Sequence, residues 1–398
     1  MHTRWWIALL SGVGLATVLV VAGLLAFDAE PGFVEVPRRA RGAGDAPHGN
    51  RLDVSPITVS RFAEYRRSVP EASIVVWKSR CRGHVARIEG EWFKRHQCED
   101  GRWAVDGFMH HGDPERGPLE DGPGMPQLDP AGTAAALLAY QGAGQTYREG
   151  PYKAQVRAAF KWLVRTAMNE DGVVKGSGWA QPVNQTFVTL ALCQLYDLTR
   201  SRLVKKPALR ALDASMRRRL ANGGWSSGAG LREDVRITGW MHLAMQIAHR
   251  VKMKDLAVTI AGTRSWLLRA HHSLDGPDVI GHEVLAQALD ESSPRPRVSK
   301  SLLDVVIRFA RKWRRLDAET IFVLTLAMRH ATNDEQFHAF SKLLTPYVKS
   351  MRDDGNFAGS FDPVGPRASR GGRVFSTAFG TLVLELYYRY PRAVLITR

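Results

Sequence analysis

At 398 residues, with 44% hydrophobic and 24% charged side chains, the chain has an ordinary globular composition and ample length for one large core. Its formal charge of +16 is carried mostly by arginine spread over the whole length, and no nucleic-acid-reading motif accompanies it, so no nucleic-acid partner is expected. The three cysteines, Cys81, Cys98 and Cys193, are too few for a disulfide scaffold.

Residues 5–27 contain no charged side chain and are rich in Leu, Val, Ala and Gly. That length suits one transmembrane helix of about 20 residues. A cleaved signal peptide would have a shorter apolar core, and the weak cleavage signal Val21-Ala22-Gly23 lies inside the run. Residues 1–27 are therefore expected to be an uncleaved, single-pass membrane anchor, making the membrane a partner. The short tail before it points to an extracytoplasmic domain, although Arg38, Arg39 and Arg41 on the far flank pull the other way. Residues 28–80 read as a flexible linker and lead-in, Gly- and Pro-rich at first. Residues 73–77 are too short to build a sheet on. Cys81 and Cys98 are close enough in sequence to pair in an oxidising compartment, whereas Cys193 sits in an apolar helical run.

From residue 81 to 391 a repeat governs the pattern. A helical stretch from about His84 ends in Gly90-x2-Phe93-x3-Gln97-x2-Asp100-Gly101-x-Trp103. Worn copies follow at Asp171-Gly172, Asn222-Gly223-x-Trp225, Asp275-Gly276 and Asp354-Gly355-x-Phe357. Each closes an amphipathic helix, expected over 152–168, from Pro207, over 255–272 and over 334–351. Glycine there takes the left-handed conformation that ends a helix, and the preceding Asp or Asn favours the turn. After each turn comes a helix that is apolar on more than one face and so is buried on both sides. Phe187-Val-Thr189-Leu190 and Phe379-Gly-Thr381-Leu382 show the likeness best. Six outer/inner pairs result, the fifth lacking its Asp-Gly turn, with residues 392–398 as a tail. The basic clusters Arg217-Arg218-Arg219 and Arg308, Arg311, Lys312, Arg314, Arg315 fall on outer helices as solvated faces that could also attract anionic lipid.

The first turn nearly reproduces the structural QW motif and resembles the squalene-cyclase and protein-prenyltransferase superfamily. The stretches 124–163 and 359–391 are similar to bacterial prenyltransferase/squalene-oxidase repeat proteins. The resemblance implies an all-α fold, an α/α toroid, which the count of pairs makes one of about six helical hairpins, preceded by the transmembrane helix expected from residues 5–27. It also matches Gln97 and Trp103 to the pair that clamps an outer helix end to the next turn. The superfamily's chemistry does not come with it. No Asp-x-Asp-Asp acid motif is present, Cys193 lacks zinc-binding partners, and the thioester string Cys-Gly-Glu-Gln is absent.

In a toroid the inner helices start at one mouth, where polar residues can converge. The candidates are Asp129, Asn184, Glu233 with Asp234, His282 with Glu283, and Asp317 with Glu319. Helix capping explains each of them more simply than catalysis. Arg367, Arg370 and Arg373 form a candidate anion loop, with a solvated loop as the plainer reading. His110-His111-x-Asp113 and His271-His272 are adjacent pairs whose side chains diverge on a helix, so no metal site or cofactor is expected.

Intact structural motifs beside missing catalytic ones favour a membrane-anchored binding or scaffold module, with a lipid or protein partner. An isoprenoid- or polyprenyl-acting enzyme is the first alternative, and a glycan-processing enzyme using the mouth carboxylates is the second. A deep aromatic chamber would support the former and a polar cleft with two carboxylates the latter. A plugged or narrow centre would sink both and leave the binding module.

Overall fold

Each outer helix has one apolar stripe and each inner helix is apolar nearly all round, and that difference sorts the chain into two concentric layers. The protein is described by a computed structural model over residues 88–228, 233–270, 276–290 and 298–389. The proposed anchor 1–27, the linker 28–80, Cys81 and the segment 73–77 lie outside the described residues. Among the described residues there is no β-strand, and no helix is long and apolar enough to cross a membrane.

The inner helices are α1 (Asp129–Gly142), α3 (Ala180–Thr199), α5 (Val235–Arg250), α7 (Pro277–Ala288), α9 (Ala318–Ala331) and α12 (Ala368–Arg389). Each packs on the next, and α12 returns to α1, closing the ring. The outer layer begins with a π-helical turn, Ile88–Phe93, which contains Gly90. It continues with α2 (Lys153–Trp162), α4 (Arg202–Met216), α6 (Ala257–Ala270), α8 (Lys300–Arg311) and the pair α10 (Asp334–Leu343) and α11 (Thr345–Val348). The fold is therefore an all-α, six-hairpin α/α toroid.

Two outer helices differ from expectation. Ser201 accepts the Leu203 N–H at 3.2 Å and starts α4 ahead of Pro207, which is absorbed into the helix. The stretch 334–351 divides after Leu343 because Pro346 cannot donate to a continuing helical ladder.

The turn glycines do more than end helices. At Gly101 (φ +101°) an added Cβ would lie 2.5 Å from the Ala158 carbonyl oxygen, and at Gly172 (φ +82°) 2.1 Å from that of Arg210. Each turn thus lies directly against the backbone of the following outer helix, which only glycine permits. Gln97 Nε2 reinforces the first contact by donating to Gly101 O at 2.9 Å and Gln155 O at 3.0 Å. Trp103 turns inward instead, donating Nε1 to Phe93 O at 2.8 Å. A second tie recurs around the ring. The backbone N–H of Trp103, Trp225 and Phe361 donates to Thr133, Thr238 and Thr377 Oγ1 at 3.0, 2.9 and 3.1 Å.

The centre of the ring is filled. Phe187, Trp240, Phe322 and Phe379, each no more than 1% exposed, meet with ring centroids 5.6–6.0 Å apart. Among the described residues, these four rings occupy the place where a polyprenyl chain would lie. Cys193 is buried in the wall, where desolvation pushes its thiol up to about 12.

Candidate functional site

Short hairpins bring the starts of the inner helices to one face, and above the aromatic plug that face opens into a cleft with a cavity of about 90 Å³. Phe375 and Phe379 lie at its base, and Asp234, Asp317, Glu319, Arg236, Arg367 and Arg370 line its polar wall. Half-exposed Trp179, just before α3, stands at the rim. The filled centre and the polar cleft therefore coexist at different depths, a possibility that treating them as alternatives overlooked.

Arg367 organises one side. Its guanidinium lies 2.9 Å from Asp278 and 3.0 Å from Asp317, and donates to Thr320 Oγ1 at 2.9 Å. Thr320 in turn donates to Asp278 at 2.7 Å. Beside this group Glu319 pairs with Arg236 Nε at 3.2 Å and accepts the Trp240 indole N–H at 2.7 Å. Three carboxylates here face two guanidinium groups. Burial works against an ionised Asp278, but Arg367 and Arg236 outweigh it and hold the carboxyl below its ordinary range. At Asp317 burial prevails over Arg367, and repulsion from Glu319 and Asp278 pushes the same way, so its carboxyl is raised.

Asp317 stands at the start of α9 without capping it through its side chain, whereas Asp234 caps α5. Asp234 Oδ1 accepts the N–H of Arg236 at 2.9 Å and of Ile237 at 3.2 Å, and no partner for Oδ2 is found among the described residues. One carboxylate oxygen thus serves the helix, while the other is unengaged among the described residues. Glu233 is exposed and turned to Asn222.

The other expected site residues lie elsewhere. Asp129 accepts the Val105 N–H at 2.9 Å and meets Arg102 at 3.3 Å, with burial raising its carboxyl to about 6. Asn184 staples α3 to the start of α1, accepting from Ala131 N and donating to Gln127 O and Lys175 O. His282 and Glu283 do not start their helix, because Gly276 and Pro277 begin α7 more than a turn earlier. His282 is buried edge-on to Trp240 at 5.1 Å, and desolvation lowers its imidazole to about 4. Glu283 is buried and accepts from Gln287 at 3.1 Å. The three loop arginines do not form a common cradle. Arg373 leaves the cleft for Asp362 at 2.7 Å and Ser360 at 2.9 Å, Arg367 is taken by carboxylates, and only Arg370 is left at the rim. Asp278, Arg236, Thr320 and Trp179 were missed. Asp278 could have been found, since Asp-Gly-Pro-Asp marks both a turn and a helix start.

No family model matches the chain, and no curated protein matches it in sequence. Solved structures share the fold. An α-1,6-mannanase of glycoside hydrolase type GH76A from Salegentibacter sp. HEL1_6 aligns with TM-score 0.52 and 12% identity, over 78% of this chain and 98% of that one. An inactive variant of it with two aspartates replaced by alanine, in complex with α-1,6-mannotetrose, gives 0.51 at 11% over 78% and 98%. A novel α-amylase from Clostridium perfringens gives 0.52 at 10% identity, over 80% of this chain and all of that one (100%). At such identities the likeness concerns the fold alone. It bears out the expected toroid class, while the squalene-cyclase-like kinship and a non-enzymatic scaffold gain no support from these structures. The chain has the α/α-toroid fold that these carbohydrate-active proteins also have.

Proposed function

We propose that the protein is a glycan-processing enzyme that binds a saccharide chain in the mouth cleft. Asp317 is its proton donor, and Asp234 is the carboxylate that assists the attacking water or the anomeric carbon. One observation carries this reading: two inner helices, α5 and α9, each present a carboxyl group to the same polar cleft beside the half-exposed indole of Trp179. Glycoside cleavage needs a carboxylic acid that keeps its proton and a carboxylate that does not. Burial and the neighbouring carboxylates favour the proton on Asp317, and Oδ2 of Asp234 is left available by its capping geometry. The Trp179 face suits the apolar face of a sugar ring. The shared fold with a mannanase and an amylase supports the glycan class without choosing a linkage. The filled ring centre disfavours an isoprenoid substrate.

The apolar run 5–27 is proposed as the tether that would hold this cleft outside the cytoplasmic membrane. Mass spectrometry of the membrane fraction tests it, and a mature start near residue 24 would replace the tether with secretion.

The activity test is reducing-end release from a panel of α- and β-linked glycans that includes α-1,6-mannan. Asp317→Asn and Asp234→Asn are each expected to lower kcat by about 10²–10⁴-fold while leaving oligosaccharide binding measurable. Binding without cleavage by the wild type would make the protein a glycan-binding module. Neither binding nor cleavage would remove the reading altogether.

A further inference from the structure

Among the described residues three arginines line the cleft, and they are not equivalent. Arg236 is matched by Glu319, and Arg367 by Asp278 and Asp317. Arg370 has no carboxylate partner among the described residues, and its side chain is exposed. It is nevertheless held in place. Its guanidinium carbon lies 4.6 Å from the centroid of the Trp179 ring. Its carbonyl accepts the Met125 N–H at 3.0 Å. Two residues on, Gly372 (φ +58°) passes so close to the 123–124 backbone that a Cβ would fall 2.2 Å from the Pro123 carbonyl oxygen. A side chain able to swing freely would lose much conformational entropy on binding a ligand, whereas one already stacked on an indole over a pinned backbone loses less.

Resting on the glycan reading above, we propose that Arg370, mounted on Trp179, is a specificity-determining residue that selects an anionic saccharide bearing a carboxylate or sulfate substituent. A saccharide bound in the cleft alongside Trp179 would meet, at the rim, a planar cation whose fork of N–H donors fits a carboxylate or a sulfate. The remaining charges facing the cleft, Asp234, Asp317, Glu319, Arg236 and Arg367, include two guanidinium groups that are already matched. Among the described residues, that leaves Arg370 as the cleft cation open to a ligand.

Matched pairs of oligosaccharides that differ only in charge test this on the full-length protein. One pair is oligogalacturonate against its methyl ester, and the other is a sulfated galactan oligosaccharide against its desulfated form. Titration calorimetry is expected to show at least a tenfold preference for the anionic member of one pair, weakening as salt rises. The pair that responds identifies the substituent. Arg370→Gln is expected to reduce the preference to within about twofold, and Arg370→Lys to restore part of it through the charge alone. Equal binding of charged and neutral members, or a preference that persists in Arg370→Gln, overturns the inference while leaving a neutral-glycan site standing. If no member of either pair and no glycan of the wider panel binds, both the inference and the reading beneath it fall.

Discussion

Asp317 accepts the backbone N–H of Arg367 at 2.8 Å and faces the same residue's guanidinium at 3.0 Å, across 50 positions of sequence. The start of α9 is thereby fastened to the loop that leads into α12, its neighbour in the ring. The same guanidinium reaches Asp278 on α7, so one side chain joins three inner helices at the cleft.

Replacing Arg367 with methionine is expected to destabilise the protein by about 3 kcal/mol at neutral pH, because it strands buried carboxylates without their cation. The sign of the pH dependence follows from Asp278. Its carboxyl is held below the ordinary range in the folded state, so its contribution is present above that range and fades as pH falls through its folded value. Urea unfolding at pH 7 and again below pH 4 should show the gap between wild type and variant narrowing on acidification. A gap independent of pH would contradict the pairing.

Asp129 behaves in the opposite sense. Burial raises its carboxyl to about 6, so the folded state favours the protonated form and this contribution is lost as pH rises from about 4 to about 6. Asp129→Asn should remove that dependence, a difference on the order of 2 kcal/mol once solvent screening is allowed for. Thermal melts of both proteins across this interval check it, and parallel curves would count against it.

The turn glycines can be separated into conformational and contact effects. Gly172 (φ +82°) has the Arg210 carbonyl oxygen 2.1 Å from a built Cβ, whereas Gly144 (φ +80°) has nothing within 4 Å. Gly144→Ala is expected to cost about 1 kcal/mol from the backbone alone. Gly172→Ala should cost about 3 kcal/mol or more, since α4 must also move away. Similar costs in chemical denaturation would refute the contact account.

Ring closure concentrates on Asn356. It accepts the Asp113 N–H at 2.9 Å and donates to Asp113 O at 2.9 Å, and its own carbonyl receives Arg95 at 3.3 Å. Asn356→Ala leaves the N–H and carbonyl of Asp113 without side-chain partners and is expected to cost about 2–3 kcal/mol. Hydrogen exchange should then rise first in the segment around Asp113, and uniform exchange would argue for a different closure.

The sequence by itself determined the layers and the count of hairpins. A helix walled in on both sides must be apolar nearly all round, as α3 and α9 are, and a turn pressed on a neighbouring backbone must be glycine, as at Gly101 and Gly172. Both are local demands, so they leave local marks. It also marked Asp234, Asp317 and Glu319 at the mouth, because helix starts can be recognised from a few residues. Only the tertiary structure decided which of these share a cleft. Arg367 meets Asp278 across 89 positions and Trp240 meets Glu319 across 79, and no periodicity encodes such pairs. It was the packing of α5, α7, α9 and α12 that left Asp234 one open oxygen, withdrew Arg373 from the loop and set Arg370 on Trp179. Depth was likewise invisible in the sequence. Phe187, Trp240, Phe322 and Phe379 could have lined a chamber or filled it, and only the distance between opposite walls of the ring settled that they fill it.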